Sequence, residues 1–445
     1  MTKLPARQRI AIIGSGISGL GAAWSLSPTH DVTLFEKDAR LGGHANTVDV
    51  DYEGKRIAVD TGFIVYNELN YPNLTALFAQ LGVATEASNM GFSVSLDQGR
   101  LEWSGESLKT LFAQRRNLLK LNFHAMWIDI LRFNSFARRD LANGAASGQS
   151  LGAWLDACKL GKAFRENYLL PMGAAIWSTP ASEMLAFPAE SFLSFFANHK
   201  LIDFDRPQWR TVTGGSREYV AKLTAALPLR IATATPVKAV TRGEKTVRVA
   251  LEGHTEEFDQ IIFACHSDQA LRLLTDPTPD EHALLGAVRY APNTAWLHRD
   301  TTLMPRRRKV WAAWNYLRRT GADEGAPVAV SYWMNRLQNL DSSRPLFVTL
   351  NPAEPPLPRL TFAKFKYDHP QFDQNALNAQ QRLSSLQGQR NSWYCGAWCG
   401  HGFHEDGLTA GLEVARALGG RVLPHGIARP RIFAAHSVAM AEAAE

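Results

Sequence analysis

Three glycines and one acid carry the strongest chemical signal in this chain of 445 residues. The run Ile10-Ala11-Ile12-Ile13-Gly14-Ser15-Gly16-Ile17-Ser18-Gly19-Leu20 precedes Asp31-Val32-Thr33-Leu34-Phe35-Glu36. The spacing G-x-G-x-x-G binds a dinucleotide pyrophosphate when a strand enters it and a helix leaves it. Gly14 permits the tight turn, Gly16 lets the backbone approach the phosphates, and Gly19 lets helix and strand pack closely. The helix N-terminus adds free N–H groups and a positive dipole end. Glu36 closes the second strand, placed to accept hydrogen bonds from ribose hydroxyls. A bare glycine triplet is an ordinary turn; the strand, helix, second strand and terminal acid make this one a dinucleotide site.

A second chemical cluster lies near the other end: Cys395, Cys399, His401, His404, Glu405 and Asp406. The spacing His-x-x-His-Glu is not the His-Glu-x-x-His of a metalloprotease, and no metal site is expected. Cys395 and Cys399 lack the helix-start context of a reactive C-x-x-C pair and read as strand and turn residues. Asp406 is placed to cap a helix over Gly407–Ala415 that Gly419-Gly420 closes.

The elements that must position these groups come in separated pieces. Strand patterns at Val48–Tyr52 and Arg56–Val59 flank the turn Glu53-Gly54-Lys55, and Pro72 starts a helix that Gly82 ends. Residues 86–205 are aromatic-rich and read as mainly helical. Val212-Thr213-Gly214-Gly215-Ser216 precedes a helix from Glu218, and Phe258 to Ala264 is a further apolar strand. Residues 286–390 carry β-like runs. The division expected is 1–85, 206–285 and 391–445 for a dinucleotide domain. Residues 86–205 and 286–390 would form the inserted substrate part, helical and then β-rich.

Hydrophobic content of 45% and charged content of 20% are those of an ordinary globular chain. Four cysteines form no disulfide framework, and the short polar start from Met1 to Arg9 leaves no room for a signal peptide; a cytoplasmic location is expected. The net charge of +6 is concentrated in Arg115-Arg116, Arg138-Arg139, Arg306-Arg307-Arg308-Lys309 and Arg318-Arg319. No nucleic-acid motif accompanies them. Residues 108–139 mix these bases with many Leu, Phe, Ile and Trp side chains. They fit two readings equally, core helices or a face lying on a membrane.

Together, the segments at 10–47, 60–63, 212–216 and 394–415 resemble the flavin-containing amine oxidase superfamily, across nearly the whole chain. The fold implied is α/β, a Rossmann-like FAD-binding domain of the GR2 type with an inserted α+β substrate domain. The resemblance puts Gly14, Ser15, Gly16, Ile17, Ser18, Gly19, Glu36 and Lys37 on the ADP half of FAD. Arg40, Gly42, Gly43, His44, Thr47, Thr61 and Gly62 fall along the phosphates and ribityl chain. Val237 meets the adenine, and Gly396, Glu405, Asp406, Gly407 and Leu408 reach the flavin pyrimidine. No cysteine matches the covalent-flavin position, so non-covalent FAD is implied.

More narrowly, Asp60–Asn67, Asn70–Leu74, Ala264–Leu271, Asp368–Asp373 and Gly402–Leu408 resemble a bacterial branch. That branch is similar to the flavoprotein part of plant cyclopropane fatty acid synthases and to furan-fatty-acid desaturases. It implies dehydrogenation of a methyl-branched or unsaturated acyl chain in a phospholipid, with a lipid methyltransferase as a neighbour. The alternatives are an amine or other small-molecule oxidase and a non-catalytic flavoprotein partner. With one fingerprint and no second for NAD(P)H, the flavin is expected to be reduced by substrate and reoxidised by oxygen or another acceptor. Desaturation also removes a proton, for which His404, His266 and His369 are the candidates, His404 first.

Overall fold

The computed structural model describes residues 7–177, 181–203, 205–225, 227–318 and 329–433. Arg319, Met1 to Ala6 and the last residues of the 391–445 piece lie outside them.

The apolar strand Arg9–Ile13 becomes the centre of a five-stranded parallel sheet. Its order is Arg230–Ala232, Asp31–Phe35, Arg9–Ile13, Gln260–Phe263 and Ser392–Tyr394. Ile10, Ala11 and Ile12 are fully buried, as continuous apolar strands between helical layers must be. The first helix, Ile17–Leu26, is buried along its whole length. The final helix, His404–Ala417, covers it. That helix begins a turn earlier than its sequence pattern suggests, so His404, Glu405 and Asp406 form its first turn. Its buried Glu413 accepts from the backbone N–H groups of Arg431, Ile432 and Phe433 at 2.7–3.0 Å and ties the tail down.

A second core is built on a seven-stranded sheet ordered Thr361–Gln371, Arg289–His298, Phe347–Leu350, Ala329–Trp333, Trp314–Arg318, Phe92–Leu96 and Leu101–Ser104. The expectation of helix over 86–205 is corrected at its start. Phe92–Leu96 pairs parallel with Trp314–Arg318, and Leu101–Ser104 pairs antiparallel with Phe92–Leu96. The helices follow, chiefly Leu121–Ala142, Leu151–Ala157, Leu170–Trp177 and Ala189–Asn198. The hairpin Thr47–Tyr52/Lys55–Asp60 also changes sides. Its Val50, Tyr52, Ile57 and Val59 pack into the second core rather than the dinucleotide core.

Candidate cofactor and active site

Gly14 turns the chain with φ of +105°, where a Cβ would stand 2.6 Å from the Ala264 carbonyl oxygen. Gly16 then begins the first helix with no side-chain cap, and a Cβ there would meet nothing within 4 Å. Open space in front of an uncapped helix start fits a pyrophosphate. Gly43 closes one side of it, its missing Cβ facing the Gly16 Cα at 3.0 Å. Glu36 is buried at the tip of the second strand. Its carboxylate accepts from Ser15 N at 2.9 Å, Ser15 Oγ at 2.6 Å and Asp38 N at 2.9 Å. The acid thus braces the loop and faces the expected ribose position. Thr235 N donates to the Glu36 carbonyl at 2.8 Å, which brings the connection carrying Val237 beside it. Lys37 and Arg40 are exposed at the rim, Arg40 Nη1 reaching the Ala45 carbonyl at 3.4 Å.

The final helix points its first turn at the same space. Gly407 lies so close to the first helix that a Cβ would stand 2.9 Å from Ile17 and Ser18 atoms. Two helix N-termini therefore converge, one beside Gly16 and one at His404. Their dipoles favour negative charge between them. Gly396 is held by its neighbour Trp398, whose indole N–H donates to the Cys265 carbonyl at 3.1 Å. Leu408 is fully buried against Gly21.

The acids of that turn serve the fold. Asp406 accepts from Phe403 N at 2.9 Å, capping the helix, and pairs with Arg431 at 2.8 Å. Glu405 accepts from Asn73 N at 2.8 Å and Leu74 N at 3.0 Å, capping the helix Pro72–Leu81. Burial raises its carboxyl to about 7. Among the described residues no group of three or more His, Cys, Asp or Glu side chains forms a metal cage. Burial also pushes the Cys395 and Cys399 thiols up, leaving them protonated.

His404 stacks on Phe63 with ring centroids 3.8 Å apart, and its Nε2 lies 2.8 Å from the Tyr219 hydroxyl. Burial depresses its imidazole to about 3. A ring nitrogen already occupied, on so weak a base, holds position better than it abstracts protons. His266 is stacked face to face on Tyr290 at 4.3 Å, just after Ala264, which touches Gly14. It therefore sits on the dinucleotide half of the site. Burial lowers its imidazole, as it does those of His44 and His369. His44 lies 4.9 Å from Tyr367 and 5.7 Å from His369 between ring centroids, and its carbonyl accepts from Phe63 N at 2.7 Å. That carbonyl is also why residue 62 is glycine, since a Cβ there would be 2.2 Å from it.

One cluster has no counterpart in the sequence reading. Asp60 is buried and accepts from Thr47 Oγ1 at 2.6 Å, Ser216 Oγ at 2.7 Å, Ser216 N at 2.9 Å and Gln338 Nε2 at 3.0 Å. Desolvation raises its carboxyl while these donors oppose the shift. Thr47 also accepts from Arg217 N at 2.9 Å, so its hydroxyl belongs to this clamp and not to the cofactor path. Thr61 bonds the Asn46 carbonyl at 3.0 Å and the Tyr367 hydroxyl at 2.8 Å. Asp60 opens the segment 60–63 that carries the family resemblance, but its partners are up to 278 positions away.

Beside the final helix an aromatic array leads inward. Phe403 stacks on Phe195 at 5.2 Å, Phe195 meets Trp177 at 4.6 Å, and Trp177 meets Phe192 at 5.5 Å. Phe192 stacks on Phe196 at 4.4 Å, and Phe196 meets Phe133 of the helix Leu121–Ala142 at 5.9 Å. A separate surface groove of about 600 Å³, lined by Arg9, Asp31 and Arg230 among others, opens at the amino-terminal strand ends. Dinucleotides bind at the carboxyl ends, so this groove is not the cofactor site.

The model of the family described as flavin containing amine oxidoreductase matches residues 17–297. An L-amino acid oxidase of Cerastes cerastes is 46% identical over 48 residues, 11% of this chain and only 9% of that oxidase. A fatty acid isomerase of P. acnes, described as producing CLA, superposes with a TM-score of 0.66 at 15% identity, covering 94% of this chain and 99% of its own. Cyclohexylamine oxidase from Brevibacterium oxydans IH-35A gives 0.64 at 15% identity, covering 93% and 100%. At such identities these two structures speak for the fold.

Proposed function

Since the chain belongs to the flavin-containing amine oxidoreductase family and is an FAD-dependent oxidoreductase, we propose that its substrate is a lipid acyl chain. The reaction proposed is dehydrogenation of a methyl-branched or unsaturated chain. FAD, when bound, supplies the two-electron oxidant that accepts hydride from one carbon. The adjacent carbon would give up a proton to a base, and oxygen or another acceptor would reoxidise the group.

The protein's part is binding and positioning. Gly14, Gly16, Gly19 and Glu36 hold the ADP half. The converging helix starts at Gly16 and His404 favour negative charge where it would develop. His404, fixed between Phe63 and Tyr219, keeps the final helix start in place. Phe403, Phe195 and Trp177 offer an apolar wall that excludes water.

The observation that carries the lipid reading is the aromatic packing from Phe403 to Phe133 beside the final helix, whose Phe403 and Phe195 line a cavity of about 100 Å³. The fold shared with a fatty acid isomerase is consistent with it. The test is anaerobic mixing of the FAD-loaded enzyme with detergent-dispersed phospholipids bearing methyl-branched or unsaturated chains. Bleaching of the flavin absorbance is expected. Bleaching by primary amines but never by these lipids would replace the reading with an amine oxidase, and bleaching by neither would leave a flavoprotein partner.

A further inference from the structure

The helix Leu121–Ala142 has two apolar faces, and only one is covered. Phe123, Met126, Ile130, Phe133 and Ala137 point inward into the second core. This is the amphipathic spacing expected of a packed helix. On the outside, Leu121, Ile128 and Leu131 recur at seven- and three-residue intervals and remain exposed. Leu118 and Leu119, in the turn Arg115–Leu119 just before the helix, extend the patch. Leu119 is 88% exposed and Leu121 84%, so neither contributes to internal packing. Six of the nine large hydrophobic side chains exposed among the described residues fall between 108 and 131. Single exposed leucines are common, but a contiguous group marks an interaction surface.

The charge around this patch is one-sided. Lys109, Arg115, Arg116 and Lys120 are exposed at its edge, and exposed Arg308 and Lys309 stand beside the short helix Leu108–Leu111. The only acids between residues 108 and 142 are Asp129 and Asp140, and both turn inward. Asp129 accepts from Arg132 at 2.6 Å and Gly161 N at 2.8 Å; Asp140 accepts from Arg139 at 2.7 Å and Trp154 Nε1 at 3.0 Å. The outer face therefore carries Leu121, Ile128 and Leu131 with His124, Ala125 and Ser135 among them, is rimmed by cations, and holds no outward acid of its own segment.

We propose that this face docks the protein on an anionic lipid bilayer. The leucines enter the boundary between headgroups and acyl chains, and Arg115, Arg116 and Lys120 meet the phosphates. No described helix is long and apolar enough to cross a membrane. The helix lies in the interface, its inner face staying on the protein core.

The test is co-sedimentation of the FAD-loaded protein with vesicles of phosphatidylcholine, with and without phosphatidylglycerol. The wild type is expected to bind the anionic vesicles and to be released by salt. The double variant Leu119→Glu, Leu121→Glu and the charge variant Arg115→Glu, Lys120→Glu should each weaken binding by about tenfold or more. Their flavin content and thermal midpoint should match the wild type. Failure of the wild type to bind, or equal binding by both variants, overturns the proposal. A wild type that dimerises in sedimentation velocity, is made monomeric by L119E/L121E and ignores vesicles would assign the face to a second copy instead. Reduction of the flavin by detergent-dispersed lipid does not require docking, so either reading can fail alone.

Discussion

Gly411 of the final helix meets the backbone of Ser18 in the first helix, where a Cβ would stand 2.2 Å from the Ser18 carbonyl oxygen. Backbone, unlike a flexible side chain, has nowhere to go. The variant Gly411→Ala must therefore separate the two helices, at about 1–3 kcal/mol by the cost of overpacking. Urea unfolding should show that loss. Because the same helices aim their N-termini at the cofactor space, FAD retention after gel filtration should fall with it.

Glu36 is the acid facing the ribose position. A hydrogen bond to a charged group contributes about 1.5–3 kcal/mol, so Glu36→Ala should weaken FAD binding by roughly tenfold to a hundredfold. Fluorescence titration of the apoprotein with FAD measures this. Unchanged affinity would remove Glu36 from the ribose site.

Two buried acids give stability opposite dependences on pH. Glu405 is raised from 4.5 to about 7, so between those values the folded chain keeps a proton that the unfolded chain has lost. Stability then falls as pH rises through this window, by about 3 kcal/mol for this group. Glu405→Gln should flatten that slope in urea midpoints taken at about pH 4.5 and about pH 7.5 with FAD saturating. Glu281 is lowered to about 2 by Arg242, Thr278 N and the Tyr394 hydroxyl, which together outweigh its burial. Its contribution is present above about 4.5 and is lost as pH falls towards 2.

Breaking the buried Arg242–Glu281 pair leaves Arg242 with Asp276 as its remaining carboxylate partner. Glu281→Ala should cost about 1.5–3 kcal/mol at neutral pH, read from the shift in unfolding midpoint. The guanidinium keeps the Asp276 carboxylate at 3.1 Å and the Asp276 carbonyl at 2.6 Å.

His404 separates a positioning role from a basic one. Loss of a general base costs about 10²–10⁴ in rate. With Nε2 on Tyr219 and the imidazole at about 3, His404→Gln should slow flavin reduction by less than about tenfold. The pH profile between about 5 and 8 should not change. A hundredfold loss in stopped-flow reduction would make His404 the base.

The dinucleotide half was legible because its logic is local. Gly14, Gly16, Gly19 and Glu36 lie within one strand, helix and strand, and those elements form where the spacing implied. The flavin-facing half was legible only in outline. A final helix capped at Asp406 could be seen, but not that it would begin at His404, nor that His404 would be spent on Tyr219 or Glu405 on Asn73 and Leu74. Those contacts join segments 185 and more than 330 positions apart, and no periodicity records them. Thr47 shows the same limit from the other side: its place in the family segment suggested the cofactor, while Asp60, thirteen residues on, had taken its hydroxyl. Residues 108–139 allowed two readings because the helix is apolar on both faces, and burial divides them.

The order of strands in the parallel sheet carries a consequence for how the chain is made. Arg9–Ile13 leaves the ribosome before its neighbour Gln260–Phe263 and the edge strand Ser392–Tyr394, which follow only after the helical insertion has been synthesised. The first helix waits longer still for its cover, His404–Ala417. Until then a hydrophobic strand edge and helix face stand open in the nascent protein, where another chain can pair with them. The cofactor domain is thus completed only after Ala417 has been synthesised. A chain shortened before residue 392 would keep the whole fingerprint and still lack the edge strand and the final helix that finish its site.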